Sequence, residues 1–153
     1  MSLPCDPNPT HRLLRSGVLG LLSLWLPACA PRNVSLSKDV APLVQTSCTF
    51  ATGCHGSSSP AGYVQFSPLT EPDGPSKLRE RWLTKSTTPS GLALVQPGDP
   101  GHSFLFRKLQ GDFSGLPCDP DHCGERMPLR NPRLPQYDIE LIQQWITEGA
   151  LDN

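Results

Sequence analysis

The chain has 153 residues, a net charge of −1 and an apolar fraction of 37%, which is the size of one domain with a thin hydrophobic core. Its 18 prolines and 13 glycines argue against a coiled coil, a bundle of long helices or an extensive sheet, because proline interrupts both kinds of hydrogen-bonded ladder. The near-neutral charge excludes the basic surface that nucleic acid binding requires. A small loop-rich domain of this kind is expected to need a covalent staple or a cofactor for stability.

The first 28 residues have the pattern of an export signal. Basic residues within 11–15 precede the apolar run 18–26, which ends shortly before Cys29. Such a run is too short to cross a bilayer as a helix and is typical of a cleaved signal peptide. The four residues that end in Cys29 resemble a bacterial lipobox, so we expect this cysteine to be lipidated. Cleavage after Ala30 without a lipid is the alternative.

The expected organisation is therefore a lipoprotein signal peptide over 1–28, a tether over 29–36 and one domain over 37–151. A lipid would hold the domain on the periplasmic side of a bacterial membrane, and without it the domain would be secreted to the periplasm. Either compartment is oxidising, which bears on every cysteine of the domain. Cys5 leaves with the signal, and the lipid uses Cys29. The remaining four cysteines form two close pairs, Cys48 with Cys54 and Cys118 with Cys123.

The pattern of apolar residues predicts a mainly α fold with three to four short helices joined by long loops. The clearest helix begins at Pro135 and ends before Gly149, because its apolar residues repeat at three and four. Shorter helices are predicted over 38–47, over 77–84 and from Pro100 onward. The stretches rich in proline, glycine and serine are predicted as loops, 57–76 and 111–133.

Cys54 and His55 directly follow the first predicted helix, as in a c-type haem attachment site. Such a site needs two thiols that bond to the vinyl groups of the haem and a histidine that ligates the iron. The usual spacing is Cys-x-x-Cys-His, whereas here five residues separate Cys48 from Cys54. The additional residues can loop out, and Gly53 would help the chain to turn. Both one and two thioether bonds stay open.

The chain from about Val34 to Leu151 resembles the small c-type cytochrome domains of planctomycete and myxobacterial lipoproteins. The matching pieces occur in the order of that family: Cys54-His55-Gly56, Val95-Gln96-Pro97-Gly98-Asp99-Pro100 with Ser103 and Leu105, Met127-Pro128, and Trp145-Ile146-Thr147-Glu148-Gly149-Ala150. The resemblance implies a class I cytochrome c fold around one covalent haem c. It also implies that His55 is the proximal ligand of the iron and Met127 the sixth ligand.

The surroundings of Met127 agree with that ligand role. Prolines and the Cys118/Cys123 pair would stiffen its loop, and a thioether favours reduced iron, which suits electron transfer. His102 and His122 are the competing sixth ligands. Three aromatic or aliphatic residues are expected as haem walls or as the helix contacts behind them, Phe104, Ile142 and Trp145. Three basic residues near the methionine are expected either in solvent or beside the haem propionates, Arg126, Arg130 and Arg133.

The expected function is one-electron transfer to and from redox proteins that bind transiently. The sequence shows no nucleophile–base pair or carboxylate dyad, so we expect no enzyme. A lipoprotein interaction module without haem, stapled by a Cys48–Cys54 disulfide, is the alternative. A local disulfide is expected for Cys118 and Cys123. A zinc site formed by these four cysteines with His55 and His122 is disfavoured by the oxidising compartment.

Overall fold

The computed structural model describes residues 33–51, 53–56, 64–66, 69–84, 90–118 and 123–153. The export signal with Cys29, the start of the tether and His122 lie outside these ranges. The described residues form four α-helices: α1 Ala41–Ser47, α2 Gly74–Leu83, α3 Phe104–Gln110 and α4 Gln136–Thr147. These ranges contain no strand, so the prediction of a mainly α fold is confirmed. No helix within them is long and apolar enough to cross a membrane.

The start of the domain differs from the sequence-based prediction. A π-helical turn, Leu36–Val40, precedes α1, and Val34 and Leu36 are buried at 4% and 0% exposure. The main-chain N–H of Val34 donates to the Glu148 carboxylate (2.7 Å), and that of Leu36 donates to the Leu151 carbonyl (3.2 Å). The end of the predicted tether 29–36 is therefore part of the domain, because these bonds attach it to the C-terminal end of the chain.

The helix ends follow local rules. α2 begins at Gly74 rather than at residue 77, with proline in its first turn, so the last three residues of the predicted loop 57–76 are helical. A 3-10 turn, Pro100–His102, precedes α3, and the Asp99 carboxylate accepts from the His102 N–H. Gly111 follows α3 at φ 75°, a left-handed conformation that glycine adopts without strain.

The core lies where α2 and α4 meet the N-terminal turns. Its fully buried members include Trp82 and Trp145, whose rings meet edge to face at 5.8 Å. The Trp145 indole N–H donates to the Leu151 carbonyl (2.8 Å). Each large apolar side chain buried in this way contributes roughly 1.5–3 kcal/mol to stability. Of the two roles expected for Trp145, this packing is that of a helix contact.

Candidate functional site

The chain closes back on itself between Cys48 and His55. Cys48 ends α1, and its N–H donates to the Val44 carbonyl (2.8 Å). The His55 N–H donates to the Cys48 carbonyl (3.1 Å), so the main chain brings the histidine beside the first cysteine despite the wide spacing. Gly53, just before the second cysteine, has φ 88°. A glycine is needed there because other residues are strained at positive φ.

Cys48 and Cys54 are thiols in the structure, and both are half-buried. Burial raises the pKa of Cys48 to about 12, and the charge of a nearby Cys54 thiolate acts in the same direction. Since burial disfavours a thiolate at Cys48, it favours neutral sulfur there: a thiol, a thioether or a disulfide rather than an anionic metal ligand.

The ring of His55 is held in one orientation. Its Nδ1 lies 2.7 Å from the Val64 carbonyl oxygen. A carbonyl can only accept, so Nδ1 carries the hydrogen, and in the neutral ring Nε2 carries the lone pair. Burial lowers the pKa of His55, as does the charge of Lys108, while the bond to Val64 acts in the opposite direction. A neutral imidazole fixed through Nδ1 is the arrangement that histidine ligands of metals use.

Phe66 connects this histidine to the core. The two rings stack with centroids 4.4 Å apart and planes 24° apart, and the Phe66 N–H donates to the His55 carbonyl (2.8 Å). Phe66 also packs edge to face on Trp82 at 5.0 Å. The sequence pattern does not assign Val64 or Phe66 to the site, because they lie in a stretch without helical or strand periodicity. The only sign of their burial is that they are apolar residues in an otherwise polar loop.

The Met127 segment is bound to α3 by Lys108. The Met127 N–H donates to the Lys108 carbonyl (2.8 Å), and the Met127 side chain is partly buried against the core. The Lys108 ammonium donates to the carbonyl oxygens of Cys123 (2.9 Å) and Glu125. No sequence pattern identifies Lys108 as part of the site, since a lysine on a short helix is usually exposed to solvent.

Cys118 and Cys123 form a disulfide, with Cα atoms 5.4 Å apart. Both half-cystines are buried, at 8% and 4% exposure. Two of the six residues considered as zinc ligands are therefore joined to each other. Within the ranges that the structure describes, no three His, Cys, Asp or Glu side chains come together as metal ligands.

His102, a competing sixth ligand, is exposed on the 3-10 turn, where its Nδ1 lies 2.7 Å from the Asp99 carboxylate. Both residues line a shallow cavity of about 560 Å³ together with Leu83, Leu92 and Gln96. The lining of this cavity includes neither His55 nor Met127. The other competing ligand, His122, lies outside the described residues.

The arginines near Met127 mainly hold their own loop. Arg126 donates to the carbonyl oxygens of Met127 and Asn131, both at 3.1 Å. Arg133 donates to the Gln110 side chain (2.9 Å), and Arg130 is exposed. Phe104, expected as a haem wall, is buried against Phe113 with ring centroids 6.4 Å apart, while Ile142 belongs to the core.

No family model matches this chain, and neither does any curated protein or solved structure. A functional proposal therefore depends on the residues and their geometry.

Proposed function

We propose that this protein is an exported one-electron carrier with a cytochrome c-like fold and a single covalently bound haem c. The observation that carries the proposal is the orientation of His55. Its Nδ1 hydrogen is bound to the Val64 carbonyl, its pKa is lowered by burial, and it directly follows a half-buried thiol. A surface histidine beside a disulfide would need none of these features.

Four residues of the chain would hold a haem. Cys48 and Cys54 would form the thioether bonds, His55 would bind the iron through Nε2, and Met127 would be the sixth ligand. Burial of Cys48 favours neutral sulfur at that position, which a thioether retains. Haem supplies, when bound, the iron that accepts and releases the electron.

Two buried donors offer further support. Trp82 Nε1 and Arg107 Nε have no hydrogen-bond partner within the described part of the chain. A buried donor without a partner costs roughly 1–3 kcal/mol, so a native protein is expected to satisfy it. Haem propionates are carboxylates, and an indole N–H or a guanidinium N–H would donate to them.

The chain itself would tune the electron carrier. Val64 keeps the imidazole in one tautomer, and the stacked Phe66 limits the access of water to that ring. The Met127 thioether is a soft, neutral ligand that favours reduced iron and raises the reduction potential. The redox partners would dock transiently. Two exposed side chains offer apolar contacts: Phe50 (56%), which lies within the attachment segment, and Leu129 (39%), two positions after the methionine.

The proposal includes a lipid on Cys29 that keeps the domain at the periplasmic side of a bacterial membrane. The order of segments supports it: the proposed lipid site lies four positions before Asn33, the first residue of the compact domain. The chain enters this domain through Val34, which is attached to α4 through Glu148. Contact with the membrane would be through the lipid alone.

A second candidate function is an interaction module without haem. The spacing of Cys48 and Cys54, six positions apart and both half-buried, favours it as well, because such a pair can also form a disulfide in an oxidising compartment. The exposed Phe50 would then belong to a protein-binding loop. The two candidates differ in the covalent state of the two cysteines.

The test is production in the periplasm together with cytochrome maturation factors, followed by a haem stain after denaturing electrophoresis. A cytochrome with the Cys-x-x-Cys-His spacing is the positive control. We expect stained protein, and the reduced spectrum in pyridine distinguishes two thioethers from one. A folded protein without haem, beside a positive control, would favour the interaction module.

Replacement of the proposed sixth ligand gives a second readout. Met127→Ala should leave the haem covalently attached but change the spin state of the iron and lower its reduction potential, because the soft axial ligand is lost. His102→Ala is the matched control for a competing ligand. If Met127→Ala changes neither property and His102→Ala does, the assignment of the sixth ligand is wrong.

A further inference from the structure

We propose that Lys108 is a positioning residue that holds the Met127 segment against α3. Its carbonyl accepts from the Met127 N–H (2.8 Å), and its ammonium donates to the carbonyls of Cys123 and Glu125. One residue thus binds the segment from the half-cystine to the methionine at three points. This inference rests on the proposed function, because it assigns Met127 the role of a ligand.

The surroundings of Lys108 distinguish it from an ordinary surface lysine. Its ammonium lies 5.0 Å from the ring centroid of Phe113 and 5.9 Å from that of Phe104, both within the range of cation–π attraction. The side chain is half-buried, and burial lowers the pKa of its ammonium. A charge removed from water in this way is retained only where it makes specific bonds.

The other described lysines make different bonds. Lys77 forms an exposed ion pair with Asp73 at 2.7 Å, and Lys38 donates to the carbonyl of Asn153 at 3.0 Å. Neither is placed beside a candidate ligand. The Lys108 ammonium instead donates to main-chain oxygens of the segment that leads to Met127. Such bonds fix the path of the chain rather than balance a charge.

The bonds from Lys108 have a consequence for the proposed ligand. A Met127 segment that is held less firmly would bind the iron less often, and the Met127 thioether is the ligand that favours reduced iron. Lys108 is therefore expected to support the methionine as a ligand and, through it, to raise the reduction potential.

Amide hydrogen exchange at Met127 tests the positioning without depending on haem. Lys108→Met keeps the length of the side chain and removes its charge and donors, while Lys77→Met is the same change at an exposed site. Exchange at the Met127 amide should accelerate about tenfold or more in Lys108→Met, as expected for the loss of bonds from a charged donor. Lys77→Met should leave it unchanged, and Lys108→Arg should restore most of the protection.

The haem-loaded protein tests the consequence for the ligand. Lys108→Met should weaken the iron–sulfur charge-transfer band of the oxidised protein and lower the reduction potential. Lys108→Gln keeps N–H donors without the charge, so it should retain more of the band and more of the potential than Lys108→Met. If Lys108→Met does not fold, Lys108→Gln still tests whether Lys108 supports Met127 as a ligand.

Unchanged exchange in Lys108→Met would overturn the positioning role. Faster exchange with an unaltered band and potential would overturn the link to the ligand. If the unmodified protein carries no haem, the proposed function fails, and the exchange comparison still decides whether Lys108 holds the segment.

Discussion

The two cysteine pairs of the domain have nearly the same spacing but different surroundings. Cys118 and Cys123 are five positions apart, joined in a disulfide and buried below 9% exposure. Cys48 and Cys54 are six positions apart and are half-buried thiols. The residue after each pair differs as well: Gly124 follows Cys123, whereas His55 follows Cys54.

This difference shows that spacing alone does not define what a cysteine pair does. The disulfide lies at the start of a segment whose main chain is bound by Lys108, so its role is to restrict that segment. The thiol pair precedes a histidine whose ring is fixed by Val64, which is the arrangement that the proposed haem attachment requires. Matched substitutions in the two regions test this contrast.

The largest expected effect is on covalent haem. The double variant Cys48→Ala/Cys54→Ala should lose all haem that survives denaturation, because no sulfur remains for a thioether bond. Cys118→Ala/Cys123→Ala, the matched change in the other pair, should keep it. Intact mass and the haem stain measure both. If both variants are folded and both lose haem, the proposed difference in role between the two cysteine pairs is wrong.

The second effect is on stability. Cys118→Ala/Cys123→Ala should lower the free energy of unfolding by about 2 kcal/mol, since a short disulfide loop restricts the unfolded chain to that extent. Without haem, Cys48→Ala/Cys54→Ala should lower it less. Urea unfolding monitored by tryptophan fluorescence measures the difference. An equal loss in both variants would indicate that Cys48 and Cys54 also form a disulfide.

The third effect concerns the glycines beside the pairs. Gly53 has φ 88° with open space where an added Cβ would lie, whereas an added Cβ at Gly124 would lie 3.3 Å from the Lys108 ammonium. Gly53→Ala should cost about 1 kcal/mol from backbone strain alone. Gly124→Ala should cost more, because it also crowds Lys108. Urea unfolding measures both costs. A larger cost for Gly53→Ala than for Gly124→Ala would contradict the proposed role of Lys108.

The smallest expected effect is a pH dependence in protein without haem. The folded state lowers the pKa of His55 from 6.5. As the pH falls below 6.5, the imidazole is therefore protonated in the unfolded chain before it is protonated in the folded protein. The contribution of His55 to stability is therefore complete above pH 6.5 and is lost as the pH falls through the folded pKa. Urea unfolding across this range should show the loss, and His55→Gln should reduce it.

His102→Gln is the matched change at an exposed histidine and should leave most of that pH dependence in place. A profile that is the same with and without His55 would show that its ring is not held as described. The same variants in haem-loaded protein give a further comparison, because ligation of Nε2 to iron would remove the His55 contribution.

Local patterns predicted most of the secondary structure. The periodicity of α4 and the glycine after it predicted that helix. Pro100 predicted the start of a helix, whereas a 3-10 turn begins there and α3 begins at Phe104. The sequence missed the early start of α2 at Gly74, because proline and serine there also suit a loop. It also placed Leu36 in a tether, since a short polar segment with two apolar residues has no recognisable period.

The candidate site was predicted only for residues that carry chemistry. Cys48, Cys54, His55 and Met127 were identified by residue type and order, and their roles as haem ligands stay predictions. Val64 and Lys108 were not identified, because a carbonyl acceptor can belong to any residue and a lysine donor is common on surfaces. Their roles depend on contacts between segments distant in the chain.

By itself, the sequence determined the helical class, the approximate positions of the helices and the residues that are candidates to bind a haem, because these depend on side-chain type and on neighbours within a few positions. Only the tertiary structure decided which sulfur pair is closed, which nitrogen of His55 carries the hydrogen and what holds Met127. The physical reason is that these properties depend on burial and on hydrogen bonds across the fold, such as that between His55 and Val64 and those from Lys108 to the Met127 segment.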